Sequence, residues 1–404
     1  MISSFAWRNL WRNKLRSFVI ITAVTLGIFA GIFLMAFMNG MVNDRVQTII
    51  GTEISHIQIH RPGFMDSDLF TLRIANADSV VDVVNKIPGV SAATKRIVIN
   101  SMAASAETGT GVKITGIDPE NEKKVTSLYT KIIEGRYLDG TGKNSIVIGE
   151  TLAKKLKVGL KNKIIITVQD VNNNITGGAF RVVGIYRTDN NMFDEANVYV
   201  RNSDISALSG LDGKEAHEVA ILLNNNDATE AAGKAVAACF PQLEVKDWLK
   251  ISPEAGYLVS AMDQYMYIFM VVILLALCFG IINTMLMVIM ERVRELGMLM
   301  AIGMNKLKVF MMIMLETVFL SLTGGVLGIV GGYFVTRYFE HAGINLYFWK
   351  EAFASMGYSA MVYPVIEPGT MIIVTIMVIV TGIFSSLYPA YKALKLNPSQ
   401  AIRS

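Results

Sequence analysis

The fold is decided by the stretch Glu291–Lys308, which reads ERVRELGMLMAIGMNKLK and lies between two long apolar runs. The run before it spans Tyr265–Met290, and the run after it spans Val309–Val335. Charged residues stand at both ends of the stretch, and between them apolar residues recur every three or four positions, the period of an amphipathic helix. Two interpretations are open at this point: a helix that lies among lipid headgroups, or a helix that docks into a soluble partner.

The composition indicates a chain that is partly soluble and partly buried in lipid. Its 404 residues are 52% hydrophobic and 17% charged, and the mean hydropathy is +0.43. Because this is too apolar for a soluble protein and too charged for a chain wholly in membrane, the two kinds of sequence must be segregated. The net charge of +4 does not indicate nucleic acid as a partner. Two cysteines, Cys239 and Cys278, form neither a disulfide framework nor a zinc spacing.

Residues 1–17 predict an amphipathic helix on the cytoplasmic face of a membrane. Arginines spaced four apart follow one helical stripe, and tryptophans follow another, as in helices that bind anionic headgroups. The interface residues are Trp7, Arg8, Trp11, Arg12 and Arg16. The uncharged run 18–38 is longer than a typical signal-peptide core and no small-residue cleavage site follows it, so it is interpreted as an uncleaved first span.

Residues 39–261 predict a large α+β domain. The predicted strands are His56–His60, Lys95–Asn100, Val112–Ile117, Ser145–Ile148, Lys163–Val168, Phe180–Tyr186, Ala196–Val200 and Glu218–Leu223. The predicted helices are Ala77–Ile87, Glu150–Leu156 and Ala228–Phe240. Turn signals such as Pro88-Gly89 separate these elements, and the block is long enough to bury its own core.

The remaining chain predicts three more spans with a cytoplasmic segment between the first two of them. The segments are 262–290 as stalk and second span, 291–308 as cytoplasmic helix, 309–336 as third span, 337–368 as outer loop, 369–390 as fourth span and 391–404 as tail. Lys and Arg number four in 1–17, four in 291–308, three in 389–404 and two in 337–368. Because cytoplasmic loops carry the excess of Lys and Arg, both termini are predicted to be cytoplasmic. The predicted fold is therefore four transmembrane helices, with a large α+β extracytoplasmic (periplasmic) domain inserted between the first and the second.

Two features of the third span indicate helix contacts. Glu316 is the one carboxylate in this apolar run. It could form a polar contact with another helix, or it could lie near the span end and be neutralised or reach the cytoplasmic interface. The second interpretation is preferred. Gly324, Gly328 and Gly332 are spaced four apart and form a thin face that lets helices approach closely. That face predicts that this helix packs closely on another helix, either within the chain or between two protomers.

No complete catalytic or metal-binding motif is present in the sequence. Gly142-Lys143 resembles the end of a phosphate-binding loop, but Asn144 stands where Ser or Thr is required. His56 and His60 are interpreted as a surface pair, since the sequence offers no third ligand for a metal site. The chain is therefore predicted to be no enzyme and to hold no metal or cofactor of its own.

Several motifs together resemble the FtsX/MacB-type ABC transporter permeases. They are Ala6–Leu10 (AWRNL), Glu291–Gly297 (ERVRELG), Ala301–Gly303 (AIG), Tyr388–Ala390 (YPA) and Asn397–Pro398 (NP). The resemblance extends over nearly the whole chain, although Met300 stands where the family often has a basic residue. Gly51–Phe64 (GTEISHIQIHRPGF), directly after the first span, is most similar to the lipoprotein-releasing LolC/LolE branch.

The resemblance implies that Glu291–Lys308 couples the chain to a motor. The implied coupling residues are Glu291, Arg292, Arg294, Glu295, Leu296, Gly297, Ala301 and Gly303. A cytosolic ABC ATPase dimer would hold ATP and Mg beneath two permease subunits, either identical or different, in a bacterial inner membrane. ATP-driven closure would push on the coupling segment, and the second span would carry that motion to the outer domain.

The resemblance also implies a function on the outer side of the membrane. In the lipoprotein-releasing version, the permease pair extracts a lipoprotein substrate from the outer leaflet and passes it to a periplasmic lipoprotein carrier, with membrane lipids as further contacts. Two alternatives stay open: export of peptides or drugs from the periplasm, and regulation of a cell-envelope hydrolase without transport.

Overall fold

The computed structural model describes residues 14–67, 69–139 and 142–394, which form two compact units. The helical unit comprises residues 1–42, 260–345 and 361–404, and the sheet unit comprises residues 43–259 and 346–360. The sheet unit is therefore built from two separate pieces of the chain. Its second piece lies within the segment 337–368, which the sequence predicted to be a simple loop between spans.

Strands and helices are numbered here in chain order. The strands are β1 Ile57–His60, β2 Val90–Ala104, β3 Gly109–Ile117, β4 Ile132–Gly135, β5 Ser145–Gly149, β6 Lys163–Gln169, β7 Ile175–Tyr186, β8 Asn197–Arg201, β9 Glu218–Leu223, β10 Glu244–Asp247, β11 Ile344–Asn345 and β12 Met361–Val362. The helices are α1 Lys14–Thr48, α2 Phe64–Ser67, α3 Ala77–Val84, α4 Pro119–Val125, α5 Glu150–Leu156, α6 Asn191–Ala196, α7 Asn202–Ser209, α8 Thr229–Cys239, α9 Trp248–Ile251, α10 Pro253–Glu291, α11 Val293–Ala301, α12 Lys306–Ala342, α13 Lys350–Ser355 and α14 Pro368–Leu394. A π-helical turn, Ile49–Ile54, follows α1.

Four helices among the described residues are long and apolar enough to cross a membrane: α1, α10, α12 and α14. Three of them extend well beyond the predicted spans, since α1 continues to Thr48, α10 begins at Pro253 and α12 ends at Ala342. Hydropathy marks only the part of a helix that suits lipid, whereas an existing helix adds one hydrogen bond for each further residue and so continues into polar sequence. The predicted membrane protein with a large α+β domain is confirmed as a fold class.

The helical unit has one apolar core to which all four long helices contribute. Buried residues such as Ile28 on α1, Leu274 on α10, Leu320 on α12 and Val378 on α14 belong to the same cluster. Helix α12 packs closely on α14, where a Cβ built on Gly382 would lie 3.0 Å from Cβ of Ser321. Small residues at such crossings let the two backbones approach and gain dispersion contacts that lipid alone would not replace.

The sheet unit is organised around the long strand β2. The sheet has ten strands: nine follow the order β10-β1-β9-β2-β3-β8-β5-β7-β4, and the tenth, β6, pairs with β2 and β7. Pairing is antiparallel except between β3 and β8 and between β5 and β7. The first part of β2 pairs with β9 and borders a core shared with β1, α3 and α8. Its later part pairs with β3 and β6 and borders a second core that includes α5 and α7.

A buried ion network lies where these two cores meet on β2. Arg96 donates to Glu122 of α4 at 2.7 and 3.1 Å and to Glu218 of β9 at 2.7 Å. All three residues are buried. Burial is the largest single influence on Glu218 and opposes its ionisation, but the charges of Arg96, His60 and Lys113 together outweigh it and hold the pKa of that carboxyl below its ordinary value. The network therefore joins β2 to α4 and β9, because the charge of Arg96 neutralises a buried carboxylate on each of them.

The histidine pair of the sequence is not on the surface, so that interpretation was wrong. His56 and His60 are 4% and 0% exposed, and His217 is also fully buried. The His56 ring is hydrogen-bonded to Asn226 at 2.6 Å, and the His60 ring to Gln58 at 3.0 Å. Burial lowers the pKa of all three imidazoles, which favours their neutral form. Within the described ranges, no group of three or more His, Cys, Asp or Glu could hold a metal ion.

Candidate functional site

The segment between α10 and α12 is a short helix with a defined break at each end. Helix α10 ends at Glu291, Arg292 leaves the helical conformation with φ −104° and ψ 13°, and α11 follows directly. Gly303, with φ +100°, ends α11: Met304 N donates to Leu299 O at 3.0 Å and Gly303 N donates to Met300 O at 3.2 Å. This is the Schellman arrangement, for which glycine is favoured.

The sequence predicted one helix over residues 291–308, and the structure corrects this to nine residues. Asn305 begins the next helix, because its side chain accepts a hydrogen bond from Leu307 N at 3.1 Å. Glycine at a helix end and asparagine at the following helix start are both strong local signals. The chain therefore reverses between α11 and α12 within four residues, Ile302 to Asn305.

The inner face of α11 packs on the core of the helical unit. Leu296 is 2% exposed and belongs to that core, and Gly297 beside it is also buried. Leu299, Met300 and Met304 are partly buried against the same cluster. Met300 thus has an apolar environment, which explains why a methionine fits at this position. Leu296 is a packing residue of this segment.

Arg292 connects the segment to the third spanning helix. Its Nη1 lies 3.3 and 3.4 Å from the two carboxylate oxygens of Glu316, and its Nε lies 3.1 Å from Oε2 of Glu295. The side chain of Glu316 is only 8% exposed and that of Arg292 only 18% exposed. Glu316 is therefore neutralised by an arginine 24 positions earlier in the same chain, which is one form of the interpretation preferred from the sequence. The charge of Arg292 compensates the cost of placing a carboxylate in an apolar helix.

The outer face of α11 and the turn after it expose apolar side chains with basic neighbours. Met298 is 50% exposed, Ile302 is 85% exposed and Leu307 is 65% exposed. Arg294, Glu291, Ala301, Gly303, Lys306 and Lys308 are exposed around them. We call Met298, Ile302 and Leu307 the docking face. The sequence indicated an amphipathic helix but did not select these three residues, because Ile302 and Leu307 lie beyond the end of α11, where helical spacing no longer applies.

The glycine face of α12 packs against α1 of the same chain. Cβ atoms built on Gly324, Gly328 and Gly332 would lie 2.8, 2.9 and 3.1 Å from side-chain atoms of Val24, Ile28 and Ile32 respectively. Thr25 Oγ1 also donates to the carbonyl oxygen of Gly324 at 3.2 Å. The glycine face therefore packs on another helix of the same chain, which is one of the two kinds of helix packing that the sequence left open.

The predicted interface residues Trp7, Arg8, Trp11 and Arg12 lie outside the described residues. Arg16 lies in the first turn of α1. The coupling residues predicted from Glu291 to Gly303 are divided by the structure into two groups. Leu296 and Gly297 are buried, whereas Glu291, Arg294, Ala301 and Gly303 are exposed, and Arg292 and Glu295 form an ion pair between them.

Two family models match the chain and together cover most of it. The model described as "MacB-like periplasmic core domain" matches residues 17–238, more than half of the chain. The model described as "FtsX-like permease C-terminal" matches residues 267–398, which include the coupling segment and the last three spanning helices. The chain therefore belongs to the FtsX/MacB-type family of ABC transporter permeases.

Similar proteins come from two branches of this family. A "Lipoprotein-releasing system transmembrane protein LolC" of Neisseria meningitidis is 23% identical, with 78% of each chain covered. A "Macrolide export ATP-binding/permease protein MacB" of Chlorobium luteolum is 32% identical over 31% of this chain and 16% of its own. The solved periplasmic region of MacB from Actinobacillus actinomycetemcomitans covers 52% of this chain and 97% of its own, with 14% identity and a TM-score of 0.36. A permease of this family implies a partner ATPase.

Proposed function

We propose that the docking face receives force from a separate cytosolic ATPase and that the chain itself is non-catalytic. One observation carries this proposal: Ile302, an isoleucine 85% exposed, stands at the tip of a short helix that joins two spanning helices. Exposed apolar side chains surrounded by basic ones are typical of surfaces that bind a protein partner. The Lys and Arg counts of the loops support a cytoplasmic position for this segment and for both termini.

The contacts of α11 suit the transmission of force to the two neighbouring spans. Arg292, at the end of α10, pairs with Glu316 on α12, so a push on α11 acts on both helices through one side chain. Leu296 holds the inner face of α11 on the shared core. Helix α10 continues without interruption for 39 residues, about 58 Å at 1.5 Å per residue, which exceeds the ~30 Å hydrocarbon core. Such a helix would carry a displacement beyond the membrane.

Ile302→Asp should abolish coupling while the chain still folds and inserts. When the ATPase binds, a carboxylate at position 302 would lose its hydration and gain no partner in return. Losing the isoleucine as an apolar anchor costs about 2 kcal/mol or more in binding, roughly thirty-fold in affinity. The measurement is co-purification of the ATPase in detergent, followed by ATP hydrolysis by the complex. The chain purified alone should hydrolyse no ATP.

The matched control for this test is Ile175→Asp, because Ile175 is an equally exposed isoleucine at 82% in the sheet unit. That variant should retain the ATPase and its activity. Leu296→Asp is a poorer test of docking, since Leu296 is buried and its substitution would disturb packing as well. Retention of the ATPase by the Ile302→Asp chain, with normal hydrolysis, would contradict the assignment of the docking face.

We further propose that the chain works as one of two permease subunits in a bacterial inner membrane and releases lipoproteins from its outer leaflet. The similarity to LolC over 78% of the chain supports this substrate class. A groove of about 390 Å³ between α1 and α10 offers an apolar lining, which includes Ala23, Gly27, Leu277 and Gly280 and would suit an acyl chain. Only 17% of the residues in the most apolar 18-residue window of α10 are buried.

A complex purified from the native membrane without added nucleotide should contain a lipid-modified protein. Mass spectrometry of the complex would detect peptides that carry a lipidated N-terminal cysteine, enriched several-fold over a mock purification from membranes that lack the tagged chain. Recovery of an adaptor and an outer-membrane channel would favour export of peptides or drugs. Recovery of a cell-envelope hydrolase would favour regulation, and either result would contradict lipoprotein release.

A further inference from the structure

The segment Leu346–Ala360, which we call the aromatic loop, exposes large apolar side chains between the third and fourth spanning helices. Phe348 is 91% exposed, Tyr347 63%, Trp349 55% and Met356 71%. The rings of Phe348 and Trp349 are in contact, with centroids 5.4 Å apart and planes nearly perpendicular. Water around so much apolar surface is unfavourable, by roughly 25 cal/mol for each Å². A cluster of this kind therefore indicates a partner that covers it.

The aromatic loop is a built structure that holds these side chains in place. Leu346 N donates to Ala360 O at 2.8 Å and so joins the two ends of the loop. Tyr347–Trp349 forms one helical turn and α13 follows it directly. Lys350 Nζ donates to the hydroxyl of Tyr347 at 2.8 Å and lies 4.6 Å from the centroid of its ring. Presenting the rings on fixed backbone lowers the entropy that is lost when they are buried.

The depth of the neighbouring helices can be estimated from their lengths. From Val309, a hydrocarbon core of ~30 Å is crossed in about 20 residues at 1.5 Å per residue, which ends near Gly328. The next outward-facing aromatic residues on α12 are Tyr333, Phe334 and Tyr338, which are 45%, 67% and 67% exposed. Tyrosines and other aromatic side chains gather in this way where a helix leaves the hydrocarbon. The outer interface therefore lies at this level of α12.

The chain that follows the aromatic loop returns to the same depth. Val365 N donates to the carbonyl oxygen of Ala36 at 2.9 Å. Ala36 lies about 27 Å along α1 from Phe18, close to the outer edge of the hydrocarbon core. The chain between Ala360 and Val365 is short, since five residues span at most about 18 Å. With its two ends joined, the loop holds Phe348 within about 30 Å of that edge.

We propose that Tyr347, Phe348 and Trp349 insert into the headgroup layer of the outer leaflet. The chemistry is that of an interfacial aromatic anchor, in which the rings replace water with the upper acyl chains while the hydroxyl, the indole N–H and Lys350 stay among headgroups. Lys350 and Glu351 are adjacent and cancel in charge, so insertion depends on apolar burial and is insensitive to salt. The anchor attaches the sheet unit, of which the loop is a part, to the lipid surface. It does not depend on the identity of the transported substrate.

The test uses the fluorescence of Trp349 in the full-length chain. Trp7→Phe, Trp11→Phe and Trp248→Phe together leave Trp349 as the one tryptophan of the four. The chain is placed in nanodiscs of phosphatidylcholine, with and without acyl chains brominated near the carbonyl end, because bromine quenches indole only at contact. Brominated lipid should remove about half of the Trp349 emission at both low and high salt.

A chain that retains only Trp248 provides the internal control. Trp248 precedes α10, and α10 extends about 26 Å beyond Met270, the expected outer edge of its span, so brominated lipid should leave Trp248 unaffected. If Trp349 is not quenched by lipid, the anchor is wrong: quenching by aqueous iodide would then indicate a solvated loop, and protection from both quenchers would indicate cover by protein. Equal quenching of Trp248 and Trp349 would also overturn the proposal.

A substitution within the anchor separates insertion from accidental contact. Phe348→Asp in the Trp349-only chain should reduce quenching by brominated lipid several-fold, since a carboxylate next to the indole opposes burial. Ile175→Asp, the exposed position on β7, should leave the quenching unchanged. Unchanged quenching in the Phe348→Asp chain would contradict insertion of this turn. Neither position is assigned to ATPase docking, so ATPase retention confirms that both chains are folded.

Discussion

Arg292→Ala is expected to destabilise the helical unit by about 3 kcal/mol, the lower end of the range for breaking a buried ion pair. The substitution removes the guanidinium that lies 3.3 Å from Glu316 and leaves that carboxylate in an apolar helix with only 8% exposure. It also releases Glu295, which pairs with the same arginine at 3.1 Å. Because α11 is attached to α12 through this contact, coupling to the ATPase should fall along with stability.

Thermal unfolding of the full-length chain in one detergent measures this effect, and three further variants interpret it: Arg294→Ala, Glu316→Ala and the double variant of Arg292 and Glu316. Arg294→Ala is the matched control, since Arg294 is an exposed arginine two positions away, and it should unfold within a degree of the parent. The double variant Arg292→Ala, Glu316→Ala should be more stable than Arg292→Ala alone, because no buried carboxylate remains. If the double variant loses the sum of the two single effects, the two side chains act independently and the ion pair is not the cause.

Gly328→Ala should cost about 2 kcal/mol, within the range for overpacking a well-packed core. The added methyl group would lie 2.9 Å from Cβ of Ile28 and 2.9 Å from the carbonyl oxygen of Thr25. The second contact is with backbone, which cannot move aside as a side chain end can. Helices α1 and α12 must therefore separate, and the hydrogen bond from Thr25 to Gly324 lengthens with them.

Gly331→Ala on the same helix supplies the comparison. A Cβ at Gly331 would meet only Phe29 Cδ2, at 3.9 Å, which is ordinary contact. Alanine is also a better helix former than glycine, so this variant should be neutral or more stable by up to about 1 kcal/mol. Melting curves of the two variants recorded side by side give the test. Equal losses of stability at both positions would mean that glycine is not required for the close contact between α1 and α12.

The sequence predicts the elements that carry a strong local pattern and misses the short ones. Strand Glu218–Leu223 and helix Glu150–Leu156 were predicted with the bounds that the structure gives them. Strands β4 and β10 have four residues each, too few for any alternation to be distinguished from chance. Strand β2 was predicted over six of its fifteen residues, because both of its ends, Val90–Thr94 and Ser101–Ala104, are rich in small and polar side chains and pair with distant strands. Pairing between distant strands decides such cases.

The sequence located the candidate site along the chain but did not predict its contacts. Charge and apolar period located α11, but the predicted helix continued to Lys308, whereas α11 ends at Ala301 and Gly303 follows with a positive φ. The pairing of Arg292 with Glu316 needs the reversal of the chain at Ile302–Asn305, which sets α11 against the start of α12. The same reversal exposes Ile302. Sequence periodicity defines an apolar face but does not say how far it extends past the helix end.

The division of the chain has a consequence for synthesis. The sheet unit is made of residues 43–259 and 346–360, and the third spanning helix, Lys306–Ala342, is translated between the two pieces. Because domains fold as the chain emerges, the larger piece must wait for its last fifteen residues until three spans have been inserted. A ribosome stalled after α12 would therefore leave the sheet unit unfinished, with α6, the helix that α13 contacts, exposed to chaperones and proteases. Completion of the sheet unit therefore follows synthesis of the first three spanning helices and precedes that of the fourth.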